Sequence, residues 1–271
     1  MYLKIRHATS YTYSETQRMV VQSHRLYPSQ CPSQTVIEWQ VSAEGAQFSD
    51  YFVDGAGDRL RTMTLNKEVN AVEIMVEGIV QTVDTDGVER IKIDRIPPQA
   101  YCVESPLTKA NQELVSLAND SILQAGNNQL DQAHAMMTAI GDTIVYTPDS
   151  TTSAHTAAQV LKQAQGVCQD QTHCLLSIAR VNGIPARYIT GYLYDPEKGD
   201  NYGESHAWAE LFIKDLGWVG FDATNRCSPN ERYVRIGSGL DSVDAALIRG
   251  ISRGIGSESM QTSVQVSQAQ Q

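Results

Sequence analysis

The most constraining feature of the sequence is a cysteine that directly precedes an apolar helix and a strand. Gly166-Val167-Cys168 leads into an apolar-rich run from Cys174 to Val181, which predicts a buried helix. Asn182-Gly183 ends that helix, and Pro185 opens an extended segment at residues 187–194. Cys168 is therefore expected in the first helical turn, where backbone N–H groups and the helix dipole favour thiolate over thiol. This is a nucleophile's position, and a buried structural cysteine is the alternative.

Composition excludes several classes of function. The 271 residues allow one large domain or two ordinary ones, and 41% hydrophobic residues suffice for a core. A net charge of −10 without any basic run argues against nucleic-acid and anionic-membrane partners. No apolar stretch approaches the roughly 20 residues that cross a bilayer, and the N-terminal stretch lacks the apolar block of a signal peptide. We therefore predict a cytoplasmic location.

The cysteine pattern favours neither disulfides nor a metal site. Five cysteines are scattered along the chain and form no Cys-x-x-Cys pair. Cys168, His173 and Cys174 are close in sequence, but on a helix their side chains point in different directions, which argues against zinc. No carboxylate cluster typical of a calcium site is evident. We predict no cofactor and no metal.

Residues 1–96 predict an N-terminal antiparallel β-sandwich-like domain. Apolar residues alternate with polar ones, as at Ile37, Trp39 and Val41, and segments such as 54–58 are typical turns. His7 and His24 lack chemical neighbours in the sequence and are expected to be surface or structural residues. Ile96-Pro97-Pro98 marks a domain border, because proline neither joins a ladder nor continues a helix.

Residues 97–256 predict helices packed on an antiparallel sheet, which makes the fold class α+β. Helices are expected at 107–119, 130–140 and 152–164, the last one capped by Ser150, Thr151 or Thr152, with a short strand at 144–146. Strands are expected at 187–194, 207–213 and 218–222, with a turn at 195–202. Residues 257–271 are expected to supply one last strand, at Val264 and Val266, and then to fray.

Two further pieces of sequence give Cys168 a chemical context. His206 enters an alternating strand, and Asp222 ends an aromatic-rich strand that starts at Gly217. A thiol nucleophile needs a base, and the base needs a partner that fixes its tautomer. If the two strands are paired, directly opposite side chains lie about 5 Å apart. A satisfied core histidine remains the alternative for His206.

Several segments together resemble the transglutaminase-like superfamily, in particular a bacterial branch often described as cysteine proteases. They are Gly-Val-Cys-Gln-Asp at 166–170, Gly-Ile-Pro-Ala-Arg-Tyr at 183–188, Gly-Tyr at 191–192, Ser-His-Ala-Trp at 205–208 and Gly-Trp-Val-Gly-Phe-Asp-Ala-Thr-Asn at 217–225. The opening MYLKIRHATSYTY also resembles the start of this branch. The resemblance implies an N-terminal β domain followed by a papain-like, transglutaminase-like core. Ala223 departs from it, since many relatives carry proline there, and this affects only the local turn.

The resemblance also implies roles for individual residues. Cys168 would be the nucleophile, His206 the general base and later general acid, and Asp222 the orienting acid. The backbone N–H of Cys168 would be one oxyanion donor. A second donor is left open among Gln163, Gln165 and Tyr192.

Other residues within or near these segments are expected to have structural roles. Asp170 is expected to cap backbone donors or to pair with Arg187. Trp208 and Trp218 are expected to fill the core or to wall the cleft, and Cys174 to be a small core residue.

The implied function is cysteine-dependent acyl transfer on a peptide or protein substrate. Cys168 would form a thioester, which water or an amine then resolves. Hydrolysis is favoured from the bacterial branch, and transglutamination is the alternative. A non-catalytic binding or assembly module on the same fold is a further alternative, because fold does not fix function. The sequence does not indicate the oligomeric state.

Overall fold

The computed structural model describes residues 1–91, 94–197 and 205–269, and it has the expected α+β architecture. Alternating apolar residues form strands throughout the first third of the chain, because successive side chains of a strand point to opposite faces. These strands are β1 (Tyr2–Gln17), β2 (Met19–His24), β3 (Gln34–Ala43), β4 (Gln47–Phe48), β5 (Phe52–Val53), β6 (Arg59–Leu65), β7 (Val69–Thr82) and β8 (Val88–Glu89).

A 3₁₀ turn at Pro98–Cys102 leads into the helical region. It contains α1 (Gln112–Ala125), α2 (Gln129–Thr143), β9 (Val145–Tyr146), α3 (Ala157–Gln163), β10 (Gln165–Gly166) and α4 (Cys168–Val181). The remaining strands are β11 (Ala186–Leu193), β12 (Ser205–Ile213), β13 (Gly217–Phe221), β14 (Tyr233–Gly239), β15 (Ile248–Arg253) and β16 (Glu258–Gln268). The short strand expected at 144–146 is confirmed as β9, which pairs in parallel with β10.

The N-terminal strands form two antiparallel sheets that pack face to face. One sheet has the order β16-β1-β7-β3, and the other has the order β15-β2-β6-β4 with β5 attached to β6. Tyr11, Met63 and Ile74 are among the buried side chains between the two sheets. The β-sandwich expected from the alternation is therefore confirmed.

The second half of the molecule is an antiparallel sheet with helices on one face. Its strand order is β14-β11-β12-β13-β8. The helix α4 is buried along almost its whole length and packs on alternate residues of β11 and β12, such as Ala186, Tyr188 and Ala209. It ends at the expected place, where Gly183 adopts a φ of +70° that favours glycine.

Strand pairing crosses the expected domain border in both directions. The strand β8 precedes residue 96 but pairs with β13 of the helical half. The strands β15 and β16 follow residue 247 but pair with β2 and β1 of the sandwich. The division into 1–96, 97–256 and 257–271 stays a prediction.

Two helix starts differ from the sequence expectation. The helix expected from residue 107 begins at Gln112, because the side chain of Asn111 caps it by accepting from the backbone N–H of Leu114 at 2.9 Å. The third helix is capped by Thr156, which forms a capping box with Gln159, and not by Ser150, Thr151 or Thr152. Within the described part of the chain, every helix is too short or too polar to cross a membrane.

An apolar cluster joins the sandwich to the helical half. Leu3 and Ile5 of β1 pack together with Tyr192, Val234 and Ile236 of the second sheet. The same face of β1 thus contributes to two cores. Its first residues pack against the helical half, and Tyr11 and Tyr13 pack inside the sandwich.

A buried ion network lies at the same junction. Arg235 donates to Glu210 at 2.9 Å and to Asp58 of the sandwich at 3.2 Å, while Arg187 donates to Glu210 at 2.7 Å and to Asp94 at 2.6 Å. Burial alone would raise the pKa of Glu210, but Arg235 and Arg187 hold it below its ordinary value. The network fixes the sheet of the helical half on the sandwich.

Candidate active site

The helix α4 presents Cys168 in its first turn, as the sequence predicts. The N-cap residue, Val167, has no polar side chain that could cap the helix. The carboxylate of Asp170 stabilises the N-terminus instead, because it accepts from the backbone N–H of Val167 at 2.8 Å. Thr151 donates its hydroxyl to the same carboxylate oxygen at 2.5 Å. Of the two expectations for Asp170, capping is therefore confirmed and pairing with Arg187 is wrong, since Arg187 binds Glu210 and Asp94.

His206 and Asp222 are brought together by the pairing of β12 with β13. Ala209 lies opposite Phe221 in this ladder, so the start of β12 and the end of β13 meet at one edge of the sheet. His206 Nε2 is 2.6 Å from Asp222 Oδ2. Because Nε2 faces the carboxylate, Nδ1 is the ring nitrogen left for the thiol.

Asp222 is held by donors from several directions. Its Oδ2 accepts from Asn225 Nδ2 at 2.7 Å and from the Tyr233 hydroxyl at 2.8 Å, in addition to His206. Its Oδ1 accepts from the backbone N–H groups of Thr224 and Asn225 at 2.9 and 3.1 Å. Burial alone would raise the pKa of Asp222, but His206 and these hydrogen bonds lower it below its ordinary value. The carboxylate is therefore fixed in place and ionised.

Cys168 and His206 line the same cavity, and the charge of Cys168 acts on the imidazole. Burial favours the neutral imidazole, but the charges of Asp222 and Cys168 outweigh burial and raise the pKa of His206 to about 10. The ring stacks on Trp208 with centroids 6.2 Å apart and an interplanar angle of 27°, which fixes its plane. An imidazolium beside a sulfur is the arrangement that activates a thiol nucleophile.

A cavity of about 560 Å³ opens over Cys168 and His206. One wall comes from the helical half and includes Cys168, Gln169 and Tyr188, and the segment Ser242–Ile248 closes one side. The opposite wall is a two-strand ladder of β1 and β16, with the register pairs His7–Val264, Thr9–Thr262 and Tyr11–Met260. The volume lies in the range of small-molecule and peptide-side-chain sites. The sandwich is therefore part of the site.

Several residues named from the sequence lie away from the thiol. His173 is fully buried and accepts from the backbone N–H of Ser242 at 3.1 Å. Cys174 is a buried core residue, as expected. Trp208 and Trp218 are also buried in the core and are not among the cavity-lining residues described.

The candidates for a second oxyanion donor are not found beside the thiol. Gln163 and Gln165 are exposed, and Tyr192 is fully buried with its hydroxyl on His7. None of the three belongs to the cavity lining that the described residues form. The turn expected at 195–202 falls partly on residues 198–204, which lie outside the described residues.

Sequence reasoning missed the residues that support Asp222 and the far wall of the cavity. Asn225 stood within the recognised segment 217–225, where an amide three residues after the acid was an available signal. Tyr233 is 11 residues beyond Asp222, and nothing in its local sequence links the two. His7, expected to be a lone surface or structural residue, is buried and lines the cavity.

Comparisons with known proteins cover most of the chain. Residues 116–223 match the transglutaminase-like superfamily, and residues 3–81 match the bacterial transglutaminase-like N-terminal region. An uncharacterized protein of Mycobacterium leprae is 26% identical over 97% of this chain and 98% of its own length. An uncharacterized protein of Mycobacterium tuberculosis is 35% identical over 39% of this chain and 37% of its own.

A solved structure shares the overall fold. It is that of a protein from Cytophaga hutchinsonii described as a “putative cysteine protease”, with a TM-score of 0.77 and 22% identity over 100% of this chain and 91% of that chain. The two regional matches lie in the same order as the sandwich and the helical half, and they enclose both Cys168 and Asp222. The chain belongs to the transglutaminase-like superfamily and carries the N-terminal region of its bacterial members.

Proposed function

We propose that this protein is a cysteine-dependent acyl-transfer enzyme that cleaves peptide or amide bonds of a peptide or protein substrate. The observation that carries the proposal is that Cys168 and His206 line the same 560 Å³ cavity, with His206 Nε2 2.6 Å from Asp222 Oδ2. Cysteine, base and orienting acid in this order form the arrangement that activates a thiol for attack on a carbonyl.

The first half of the reaction forms a thioester. The Cys168 thiolate attacks the substrate carbonyl carbon, and the carbonyl electron pair moves to oxygen. The backbone N–H of Cys168 is in the first turn of α4, where amides lack intrahelical partners, and it can donate to this oxyanion. As the carbon–nitrogen bond breaks, His206 gives its proton to the leaving amine.

The second half releases the acyl group. Neutral His206 takes a proton from water, and the resulting nucleophile attacks the thioester carbonyl. The carbon–sulfur bond then breaks, and Cys168 and His206 return to their starting protonation. Asp222 keeps the imidazole in one orientation through both halves. Hydrolysis is preferred over transfer to an amine because the solved structure that shares this fold is described as a “putative cysteine protease”.

The first test is alkylation by iodoacetamide between pH 5 and 9, with the labelled cysteine identified by mass spectrometry. Three of the other four thiols provide internal controls, because burial raises the pKa of Cys31, Cys174 and Cys227. We expect Cys168 to react at pH 6 while these three do not, since an active thiolate reacts well below the roughly 8.5 of a free thiol. Labelling of Cys168 only near that pH would favour a non-catalytic module.

The second test separates hydrolysis from transfer. The protein is incubated with a peptide library and a labelled primary amine, with the Cys168→Ala variant as control. We expect shortened or deamidated peptides from the wild-type chain and none from the variant. Incorporation of the amine in place of these products would replace the hydrolase with a transglutaminase.

We also propose a cytoplasmic location. All five cysteines are free, which suits a reducing compartment. Fractionation of the native cells with an antibody against the protein tests this, and recovery with extracytoplasmic proteins would contradict it.

A further inference from the structure

The inward face of β1 changes from apolar to polar where it crosses the cavity. Leu3 and Ile5 pack on the helical half, and Tyr11 packs in the sandwich. Between them lie His7 and Thr9, which line the cavity that also holds Cys168. Polar residues at two consecutive inward positions of a buried strand need hydrogen-bond partners.

These partners form a chain of three buried side chains. His7 Nδ1 is 2.8 Å from the Tyr192 hydroxyl, and His7 Nε2 is 2.9 Å from Thr9 Oγ1. The exposed fractions are 0% for Tyr192, 2% for His7 and 4% for Thr9. This series of hydrogen bonds therefore runs from Tyr192, at the apolar junction of the two halves, to Thr9 at the wall of the cavity.

Which group donates in each of these hydrogen bonds follows from the burial of Tyr192. Its hydroxyl has no second hydrogen-bond partner in the described parts of the chain, and its surroundings are Leu3, Ile5 and other apolar side chains. An unpaired buried O–H costs about 1–3 kcal/mol, so the hydroxyl donates to His7 Nδ1. His7 then carries its proton on Nε2 and donates it to Thr9.

A single proton on His7 agrees with its environment. Burial lowers the pKa of His7 to about 4, so the ring is neutral near pH 7. Thr9 accepts from this ring, and its own hydroxyl hydrogen has no acceptor among residues 1–91, 94–197 and 205–269. The remaining direction for the Thr9 O–H is the cavity.

We propose that the Thr9 hydroxyl, oriented by His7 and Tyr192, is a substrate-binding donor that recognises a carbonyl oxygen of an uncharged acyl donor. This inference rests on the proposed function and adds a substrate contact from the sandwich. A neutral donor fits a peptide or carboxamide carbonyl. A carboxylate is disfavoured, because no Lys or Arg is among the described residues that line the cavity, and the His206 imidazolium is already paired with Asp222.

The test compares two reagents that modify Cys168. An N-acetyl-dipeptidyl chloromethyl ketone with uncharged side chains presents carbonyl groups, whereas methyl methanethiosulfonate has none. For Thr9→Val we expect KI of the ketone to rise roughly 5- to 10-fold, as expected for one hydrogen bond of about 1–1.5 kcal/mol. The maximal inactivation rate and the methanethiosulfonate rate should stay at wild-type values.

Two control variants separate binding from structure. Thr9→Ser retains the hydroxyl and should restore KI to within about twofold of wild type, as the donor is unchanged. Thr12→Val makes the same substitution on the exposed face of β1 and should change neither the KI of the ketone nor the methanethiosulfonate rate. Equal KI values for Thr9→Val and wild type, or an equal loss with both reagents, would overturn the inference. Failure of both reagents to modify wild-type Cys168 would instead refute the proposed function.

A measurement without any reagent examines the same chain of hydrogen bonds. ¹⁵N NMR of labelled histidine identifies which ring nitrogen of His7 carries the proton. We expect Nε2–H between pH 6 and 8, and loss of this preference in Tyr192→Phe. A proton on Nδ1 in the wild-type chain would make Thr9 the donor to His7 and would overturn the inference independently of enzyme activity.

Discussion

Replacing Asp222 with asparagine is the sharpest test of how the site activates its sulfur. Three donors converge on Asp222 Oδ2, from His206, Asn225 and Tyr233. The backbone N–H groups of Thr224 and Asn225 occupy Oδ1, so an asparagine that satisfies them turns its NH₂ group toward the other three. The substitution thus removes a charge and places a donor against donors.

The size of the effect follows from the pKa of His206. The difference between about 10 and the ordinary 6.5 corresponds to roughly 5 kcal/mol in favour of the imidazolium. Burial opposes this difference, so Asp222 and Cys168 together contribute more than the net value, and we assign at least about half of it, roughly 2–3 kcal/mol, to Asp222. Because a raised pKa keeps His206 protonated from acid up to about pH 10, losing Asp222 lets the proton leave roughly two pH units earlier and weakens the support of the thiolate by the same free energy.

The assay is the rate of Cys168 alkylation by iodoacetamide at pH 6. We expect the Asp222→Asn variant to react roughly 30- to 100-fold more slowly than wild type, with the deficit shrinking toward pH 9. Asp142→Asn removes an exposed carboxylate paired with Arg226 and should leave the rate unchanged. Equal rates for Asp222→Asn and wild type at pH 6 would show that the carboxylate does not support the imidazolium, and the reasoning would fail.

Three further predictions concern the frame of the site. Arg235→Met leaves two buried carboxylates short of a partner and should cost about 3–5 kcal/mol in urea unfolding, whereas Arg6→Met breaks only an exposed pair and should have no measurable effect; similar losses would contradict this. Burial, and to a lesser extent the charge of Arg61, lowers the pKa of His24 to about 4 in the folded protein. Neutral His24 therefore contributes fully to the free energy of unfolding above pH 6.5, and this contribution falls toward pH 4 because the unfolded chain binds the proton first. His24→Leu should therefore remove roughly 3 kcal/mol of the loss between pH 7 and 4, and equal losses would refute it. Gly191→Ala would place a Cβ against the backbone carbonyl of Val234 and 2.6 Å from the indole that stacks on His206. Cys168 alkylation should therefore slow in the folded variant, and an unchanged rate would count against this.

The helix and strand positions of Cys168, His206 and Asp222 were predictable because each belongs to a local pattern, whereas their proposed roles came from the resemblance of the surrounding segments to the family. Cys168 opens an apolar helix, His206 enters an alternating strand, and Asp222 ends one. Short-range patterns of this kind depend on interactions within a few residues, and the structure has the helix and both strands where they are expected. The support of Asp222 by Tyr233 is different, because a contact across 11 residues depends on how two strands are placed.

The strands that the sequence analysis missed lack the expected alternation. β14 is buried at every position from Tyr233 to Gly239, so no period of two marks it. β15 is mostly exposed and shows no apolar face. The wall of the cavity was also beyond sequence reasoning, because the ladder between β1 and β16 joins residues at opposite ends of the chain.

That ladder also sets the order in which the molecule can be completed during synthesis. β1 ends at Gln17 and β16 begins at Glu258, 241 positions later. At about 5–20 residues per second, a ribosome needs roughly 10–50 s to cover this distance. Until then one edge of β1 has no neighbour, and the nascent chain cannot close the cavity beside Cys168. The finished cavity is therefore expected only after the residues of β16 have been synthesised.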